Sequence, residues 1–306
     1  MGLILDNTSY QITALLFYSK GEIIQMEIAL ESTVITHGFP YPENIEIALR
    51  LEQVAKENGC QPKTIGIISG EVKIGLTENE IRNLANHENV IKSGVRELPY
   101  VISKKLWAST TVSGTIRLAA NNSIKVFATG GIGGVHHGKW DVSQDIIELA
   151  RTRIIVISAG PKSILDLPNT SEMLETFGVL TVGYQTDEMP AFYSRHSGIG
   201  ILPVDSADEI VRIYNTMDSM GLEGSLLVFN PIPKEYELSE GEVNDWVRKA
   251  DHELREKNIS GKQVTPFLLK ELANLSGGRT IQSNKRLLEN NVSLGCEILS
   301  SLAGSY

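Results

Sequence analysis

Lys162 is the residue of this sequence whose position offers the most chemistry. It follows an apolar, β-branched run, Arg153–Ser158, and the turn Ala159-Gly160-Pro161. A lysine at the carboxyl end of a central strand lies where open α/β sheets bind ligands, and partial loss of water there disfavours the ammonium form. A neutral amine can attack a carbonyl or sugar carbon and form an imine. The alternative is a lysine that extends its charged group from a strand end into solvent.

Two acidic residues stand at comparable positions. Glu31 ends the apolar run Glu27–Leu30, and a half-dehydrated carboxyl there can act as a general acid or simply cap a turn. Asp141 precedes a predicted helix, where its carboxylate can hold a hard divalent cation together with water, or cap the helix. The Ser143 hydroxyl and the backbone N–H groups that follow it form a helix start, which favours an anion. This segment therefore predicts a metal position and a phosphate position side by side.

A glycine-rich stretch follows the predicted strand Lys125–Ala128. From Gly133 it reads G-x4-G-K, nearly a Walker A loop, but Trp140 stands where that loop needs a hydroxyl to hold magnesium. His136 breaks the glycine pattern of a dinucleotide-binding loop in the same way. We interpret the stretch as backbone that can approach a ligand closely, or as a flexible connecting loop.

Two further segments carry cationic or hydroxyl groups. Lys92 ends a short apolar run and, with Arg96, can bind a phosphate or form ordinary surface charge. Ser109–Thr115 is rich in hydroxyls and starts a predicted helix, so it is a second anion cradle or a well-capped helix. All the candidate polar residues come at the carboxyl end of a predicted strand or at the amino end of the next helix. In a parallel sheet those positions share one edge, so we expect them around one site.

The elements that must position these residues follow from hydrophobic periodicity. Apolar runs predict strands over Glu27–Leu30, Thr64–Ile68, Lys125–Ala128, Arg153–Ser158, Val179–Val182 and Ser225–Phe229. Helical spacing predicts helices over Ile45–Glu57, Ile81–Ala85, Thr115–Ala120, Gln144–Ala150, Glu172–Phe177 and Asp208–Met217. This alternation predicts the α/β class, as a three-layer α/β/α fold with a largely parallel central sheet.

The last part of the chain has a purely helical pattern and predicts a C-terminal helical layer. Its predicted helices are Ser239–Lys257, Thr265–Leu275 and Thr280–Leu302, of which the first is charged and expected to be solvated. A capping box at Thr77-x-x-Glu80 starts an earlier helix, and Gly59 and Gly178 are placed as helix stops. Because no Pro/Ser-rich linker divides the chain, we predict one catalytic domain over residues 1–306, with residues 1–20 as a poorly determined leader.

Composition and charge limit the class of protein. The chain has 306 residues, 42% of them hydrophobic and 21% charged, as in ordinary globular proteins. A net charge of −9 argues against nucleic acid or an anionic membrane as the main partner. Cys60 and Cys296 form neither a zinc motif nor a disulfide framework, which fits a reducing compartment. The apolar run Ile12–Tyr18 is too short to span a bilayer. We therefore expect a cytoplasmic protein that binds a small molecule.

Taken in order, ten stretches resemble the pseudouridine-5′-phosphate glycosidase family over roughly residues 27–292. They read ALESTVITHGFPYPEN, KSGVRE, TTVSGT, ATGGIGGVHHG, DVSQD, SAGPKSILDLPNT, TDEMPAFYSRHSG, NPIP, TPFLLKEL and GGRTIQSNKRLLENN. The resemblance implies an α/β/α fold, a homotrimer, and Mn²⁺ or another divalent cation. It also implies the activity, which is reversible cleavage of the C–C glycosidic bond of pseudouridine 5′-phosphate to uracil and ribose 5-phosphate, through a covalent bond between lysine and ribose.

The same resemblance implies roles for individual residues. The nucleophile corresponds to Lys162, the proton donor to Glu31 and the metal ligand to Asp141. Residues expected to contact the substrate, including its base or sugar, are Lys92, Val112, Ser143, Gln144, Asp145, Asn284, Thr129 and His136.

Three departures from the family pattern qualify these expectations. Pro161 precedes the lysine where the family usually has a small or branched apolar residue, so the approach of the lysine can differ. His137 stands where many members have arginine, and the first 20 or so residues match poorly. Two other functions therefore remain open: another Schiff-base lyase or aldolase acting on a sugar phosphate, and a sugar-phosphate sensor without turnover.

Overall fold

A computed structural model of the protein describes residues 17–19, 22–137, 141–259 and 261–305. A short antiparallel pair, β1 (Phe17–Ser19) and β2 (Glu22–Ile24), comes first. It includes part of the predicted leader, of which residues 1–16 and 20 lie outside the described residues. The main sheet has ten strands. In chain order they are β3 (Glu27–Glu31), β4 (Gln61–Ile68), β5 (Glu71–Ile74), β6 (Val90–Ser93), β7 (Trp107–Thr110), β8 (Val126–Ala128), β9 (Ile155–Ser158), β10 (Leu180–Tyr184), β11 (Leu202–Val204) and β12 (Leu226–Phe229).

The main sheet is largely parallel, as predicted. Its order is β11-β10-β12-β9-β8-β3-β4-β7-β6, and β5 pairs with β4 away from this path. All neighbours from β11 to β4 are parallel, and so are β6 and β7. The exceptions are β5 and β7, which each run antiparallel to β4. The apolar runs of the central strands are buried on both faces, which is what a covered parallel sheet requires.

Ten α-helices connect and cover these strands in the described part of the chain. They are α1 (Glu43–Glu57), α2 (Glu78–Asn86), α3 (Leu98–Ser103), α4 (Val112–Asn121), α5 (Gln144–Arg151), α6 (Leu167–Thr176), α7 (Ala207–Ser219), α8 (Glu240–Glu256), α9 (Val264–Leu275) and α10 (Arg279–Gly304). The predicted capping box is present at the start of α2, where Thr77 Oγ1 accepts from the Glu80 N–H at 3.2 Å. Gly59 and Gly178 follow α1 and α6 with φ of 75° and 70°, so both predicted helix stops are confirmed.

Two apolar clusters, one on each face of the sheet, confirm the three-layer prediction. Ile28 and Leu30 of β3 pack in a cluster with α1, α7 and α10, whereas Ala29 between them packs in a second cluster with α3 to α6. Helix α10 lies against the sheet, because a Cβ placed on Gly295 would be 2.6 Å from the Ile28 Cδ1. Helices α8 and α9 pack on each other and contribute to the first cluster. The predicted C-terminal helices are therefore confirmed, and α10 belongs to one of the two covering layers.

The elements that sequence periodicity missed are short. β5, β6, β7 and β11 have three or four residues each, and α3 has six, so none contains enough periods to stand out. Helix α6 begins at Leu167, earlier than expected, because Asp166 accepts from the Asn169 N–H and Pro168 lies in the first turn. Within the described residues, no helix combines the length and apolar character needed to cross a bilayer.

Candidate active site

A cavity of about 400 Å³ gathers almost all the predicted site residues. Its wall includes Glu31, Lys92, Val112, His136, Asp141, Ser143, Gln144, Asp145, Lys162 and Asn284. Thr129 is the predicted site residue that does not line it. The cavity lies where β3, β8 and β9 end, which is the edge of an open α/β sheet that binds ligands.

The end of β7 reaches this cavity although the strand runs antiparallel to β4. We expected parallel strands to bring Lys92 and the start of α4 to the same edge of the sheet as the other site residues. The predicted strand direction is wrong for β6 and β7, which are parallel to each other but antiparallel to β4. Strand β4 continues past Ile65, the residue that pairs with Glu31. Strand β7 pairs with this continuation and runs back along it, so that β7 ends close to Glu31. Thr110 fixes the end of β7 there, since its N–H donates to Ser32 Oγ at 2.9 Å and its hydroxyl donates to the Ile65 carbonyl at 2.8 Å.

The Glu31 carboxylate is held by two threonine hydroxyls. Thr33 donates to one of its oxygens and Thr129 to the other. Thr129 is fully buried behind Glu31, and its carbonyl accepts from Asn291 Nδ2 of α10 at 2.7 Å. Thr129 therefore orients the carboxyl and does not itself reach the cavity. Sequence reasoning missed Asn291; its signal was a pair of asparagines in the apolar pattern of α10.

Lys162 enters the cavity from a segment that continues the line of β9. Its Nζ donates to the Gly131 carbonyl at 2.7 Å, and its own N–H donates to the Ile132 carbonyl at 3.1 Å. The Gly160 carbonyl accepts from the Ile132 N–H at 3.2 Å. Pro161 lies between these two bonds, so its missing N–H removes neither of them. We call Glu31, Gly131 and Lys162 the reactive wall.

Backbone N–H groups at two helix starts can bind an anion, whereas the reactive wall offers an amine and a carboxyl group. Val112 is the first residue of α4, whose N–H has no acceptor within the helix. Helix α5 begins behind Ser143, whose Oγ accepts from the Asp145 N–H at 3.2 Å. Such starts favour anions. We call the set Val112, Ser113, Gly133, Ser143, Gln144 and Asp145 the amide wall.

Side chains at the start of α5 tie this wall together. Asp145 is 5% exposed. Its Oδ1 accepts from the Ser113 N–H and its Oδ2 from the Gly133 N–H, both at 2.9 Å. The neighbouring Gln144 Oε1 accepts from the Arg96 N–H at 3.1 Å. Both side chains are thus occupied by protein backbone.

His136 and Asp141 form the charged part of the cavity beside these walls. Burial lowers the pKa of the His136 imidazole; the Asp141 carboxylate opposes that effect, and the positive charges of Lys162 and Lys92 add to it. The imidazole is therefore neutral near pH 7. These four groups are close enough to interact electrostatically, as the sequence resemblance implied.

The cavity can accommodate a divalent cation only with a wet coordination sphere. Among the residues that the structure describes, no cluster of three His, Cys, Asp or Glu side chains can hold a metal. Asp141 offers a single carboxylate to the cavity. That donor set fits a hard cation of the Mg²⁺ or Mn²⁺ type, which keeps several waters and takes one or two protein carboxylates, and it does not fit zinc.

An apolar patch also lines the cavity, and it was not predicted from the sequence. It consists of Phe39, Leu165, Phe192, Leu269 and Leu288. Asn284 lies beside this patch, since a Cβ placed on Gly130 would be 3.4 Å from its Oδ1 and 3.3 Å from Leu288. An amide next to apolar side chains can bind a flat polar ring by its edge and its faces.

His137 does not line the cavity. His137 is exposed, and its Nδ1 lies 3.6 Å from Asp166. Gly138, Lys139 and Trp140, which end the Walker-like stretch, lie outside the described residues.

The comparisons with known proteins agree with this geometry. The family model for indigoidine synthase A like protein matches residues 25–301. The pseudouridine-5′-phosphate glycosidase of Pseudothermotoga lettingae is 54% identical over 277 residues, which are 90% of this chain and 98% of that protein. The glycosidase of the same name from Thermosipho africanus is 54% identical over 275 residues, with 90% and 94% covered.

Two solved structures share the fold. An indigoidine synthase A-like protein from Thermotoga maritima superposes with a TM-score of 0.86 at 42% identity, covering 90% of this chain and 93% of that one. The prealnumycin C-glycosynthase, solved with ribulose 5-phosphate, gives a TM-score of 0.83 at 32% identity, with 91% and 92% covered. The resemblance found in the sequence is confirmed, and the chain belongs to the indigoidine synthase A-like protein family, together with these pseudouridine-5′-phosphate glycosidases.

Proposed function

We propose that this protein is a pseudouridine-5′-phosphate glycosidase, which cleaves the bond between C1′ of ribose and C5 of uracil and releases uracil and ribose 5-phosphate. The observation that carries the proposal is the meeting of a lysine amine, a carboxyl group and an amide-rich anion cradle in one cavity. The identity to the curated glycosidases supports the choice of substrate.

The first chemical step opens the ribose ring. A C-glycoside has no oxygen or nitrogen leaving group on C1′, so the paired-carboxylate mechanism of ordinary glycosidases does not apply. The C1′–O4′ bond breaks, its electron pair goes to O4′, and Glu31 supplies the proton. The electron pair of Lys162 Nζ then forms a bond to C1′, and the nitrogen loses a proton. Covalent attachment divides a difficult cleavage into easier steps.

The second step breaks the carbon–carbon bond. A proton is added to C5 of uracil, and the lone pair of the Lys162 nitrogen forms a C=N bond with C1′. The electrons of the C1′–C5 bond restore the C5–C6 double bond of uracil, which leaves. Water then adds to the iminium carbon, and ribose 5-phosphate and the free amine are restored. Every step is reversible, so the protein can also join the two products.

The Val112 and Gln144 N–H groups of the amide wall bind the phosphate together with Lys92, because the other N–H groups of that wall already donate to protein acceptors. Backbone N–H groups at helix starts and one ammonium group are well suited to a dianion. Phosphate binding far from C1′ supplies energy that orients the reacting atoms. Pseudouridine without phosphate is therefore expected to be a poor substrate.

Asp141 holds Mn²⁺ or a similar cation in this proposal. The cation would supply positive charge to the cavity when it is bound. Its binding can be followed without turnover, because the electron paramagnetic resonance signal of free Mn²⁺ falls as the ion binds. Asp141→Asn should abolish that loss of signal, and an unchanged titration would remove Asp141 from the role.

Two further properties are proposed from the family resemblance. The protein assembles as a homotrimer, which light scattering of the purified protein tests directly. It works in the cytoplasm, which is consistent with two cysteines that form no disulfide.

The proposal is tested by incubation with pseudouridine 5′-phosphate and Mn²⁺. Uracil and ribose 5-phosphate should appear in equal amounts, and the Lys162→Ala protein serves as the control. Release of a fragment other than uracil would favour a Schiff-base lyase or aldolase. Tight binding of ribose 5-phosphate with no product of any kind would favour a sensor.

A further inference from the structure

The first turn of α5 contacts three separate backbone segments that border the cavity. Gln144 accepts from the turn after β6 through the Arg96 N–H. Asp145 accepts from the start of α4 through the Ser113 N–H and from the glycine-rich stretch through the Gly133 N–H. A carboxylate that receives one N–H on each oxygen makes charge-assisted bonds, which are stronger than neutral ones.

The packing leaves these contacts little freedom. A Cβ added to Gly133 would lie 2.7 Å from Asp145 Oδ2, and one added to Gly94 would lie 2.9 Å from Gln144 Oε1. A methyl group at either position would displace the side chain that it meets. The Asp145 carboxylate lies in the first turn of its own helix, where a negative charge is favourable.

Charge argues against direct contact between Asp145 and a phosphate. A carboxylate oxygen and a phosphate oxygen repel each other, and each Asp145 oxygen already accepts an N–H of the protein. Since both oxygens are occupied and the side chain is buried, the carboxylate is better placed to fix the amide wall than to bind the substrate itself.

We propose that Asp145 is a positioning residue that holds the start of α4 and the glycine-rich stretch at the spacing the substrate's phosphate requires, and that it does not bind the substrate directly. This role differs from the expected direct contact between Asp145 and the substrate, and it rests on the proposed function for the identity of the phosphorylated substrate. Gln144 extends the same framework to Arg96.

The test compares two substrates that differ only in the phosphate. Asp145→Asn keeps the shape but places an NH₂ group against one of the two N–H donors. Loss of a charge-assisted bond should reduce kcat/KM for pseudouridine 5′-phosphate by about tenfold to a hundredfold. The kcat/KM for pseudouridine should change by less than about threefold, because this substrate does not use the phosphate cradle. The inhibition constant of inorganic phosphate should rise in parallel with the loss in kcat/KM for pseudouridine 5′-phosphate. An equal loss for both substrates would overturn the proposal.

Glu148→Gln is the matched control. Glu148 is buried on the same helix and also ties α5 to α4, through Arg117 Nε at 2.8 Å, but it does not line the cavity. This change should lower the melting temperature and leave the ratio of the two kcat/KM values unchanged. A fall of the ratio as large as that of Asp145→Asn would mean that any weakening of the α4–α5 contact has the same effect, which contradicts a specific role of Asp145.

A measurement on the unaltered protein separates this proposal from the assigned activity. Residue-resolved hydrogen exchange should show the Ser113 and Gly133 amides protected before any ligand is added, with no further protection when inorganic phosphate is bound. Rapid exchange that phosphate suppresses would mean that these N–H groups bind the anion themselves, and the proposal would fail. Because this readout needs no turnover, it decides the matter even if no uracil is released or if Asp145→Asn does not fold.

Discussion

The reactive wall and the amide wall of the cavity are built in opposite ways. The reactive wall presents side chains, Glu31 and Lys162, from the ends of β3 and β9 on either side of β8, and each is hydrogen-bonded to the segment that follows β8. The amide wall presents backbone N–H groups, and its side chains face other backbone. One wall therefore depends on residue type, and the other depends on backbone position.

This difference teaches which substitutions affect which step. Removing a reacting side chain deletes chemistry that nothing else in the cavity supplies. A backbone N–H cannot be deleted by an ordinary substitution, so the amide wall is weakened only by moving it. We expect changes in the reactive wall to lower kcat, and changes in the amide wall to weaken binding of the phosphorylated substrate.

The largest effect is expected for Lys162→Ala. Loss of the nucleophile should reduce turnover by about 10⁴-fold or more. In the unaltered protein, borohydride added with ribose 5-phosphate should reduce the imine and leave a stable sugar mass on the peptide that contains Lys162. Lys92→Ala, which changes the other lysine of the cavity, should still form this adduct. Absence of the adduct from the unaltered protein would remove the covalent mechanism.

Glu31→Gln should have the next largest effect. The amide keeps the shape, and its oxygen can accept from one of the two threonines while its NH₂ group donates to the hydroxyl of the other, but it cannot supply the proton for ring opening. The expected loss in kcat is about 10²–10⁴-fold, the usual contribution of a general acid. Binding of ribose 5-phosphate, measured by calorimetry, should change little. Normal turnover by this variant would exclude Glu31 as the acid and would leave the reactive wall with one member.

The sequence predicted the reactive wall for a physical reason. Glu31 and Lys162 lie at the ends of apolar runs long enough to identify as strands, and the carboxyl ends of parallel strands share one edge of the sheet. The place of Lys92 and Val112 at the cavity was predicted partly by chance, because Lys92 lies in β6 and Val112 follows β7, and the direction of these two strands was not foreseen. A four-residue strand does not reveal its direction, since direction depends on pairing with residues far away in the chain.

The contacts of Asp145 and Thr129 could not be predicted from sequence at all. Both belong to stretches that point to a binding site, and the side chain of each is hydrogen-bonded to another group of the protein. Whether a polar side chain faces a cavity or a neighbouring loop depends on angstrom-scale packing, such as the approach of Gly133 to Asp145. Periodicity and motif order identify the segment but not the direction of the side chain.

Gly133→Ala tests the amide wall through its backbone. The added methyl would lie 2.3 Å from Ser143 Oγ, so the glycine-rich stretch or the start of α5 must move. We expect KM for pseudouridine 5′-phosphate to rise about tenfold, with a smaller change in kcat. Gly241→Ala is the matched control, because its Cβ would meet nothing closer than 3.9 Å. A larger loss in kcat than in affinity would show that the two walls are not separable.

The smallest effect is expected from a change at Glu52, which belongs to neither wall. This carboxyl on α1 lies away from the cavity, and its Oε1 accepts from the Thr64 hydroxyl at 2.8 Å. Burial raises its pKa above the ordinary value of 4.5, and the Thr64 hydrogen bond and Lys56 only partly oppose that effect. The folded protein thus holds this proton more tightly than the unfolded chain, and the resulting stability is present below pH 4.5 and lost as the pH rises through the folded pKa.

Glu52→Gln should therefore stabilise the protein at neutral pH. The neutral amide still accepts from Thr64 and avoids the cost of a buried charge, so the melting temperature should rise by about 2 °C at pH 7. The gain should vanish at pH 4, where the carboxyl of the unaltered protein is protonated in both states. Turnover should stay unchanged, because Glu52 touches neither wall. A lower melting temperature at pH 7 would mean that the ionised Glu52 carboxylate, which lies 3.8 Å from Lys56 Nζ, is the favourable form. Polar groups remote from the cavity would then contribute to stability, and the contrast with the two walls would be lost.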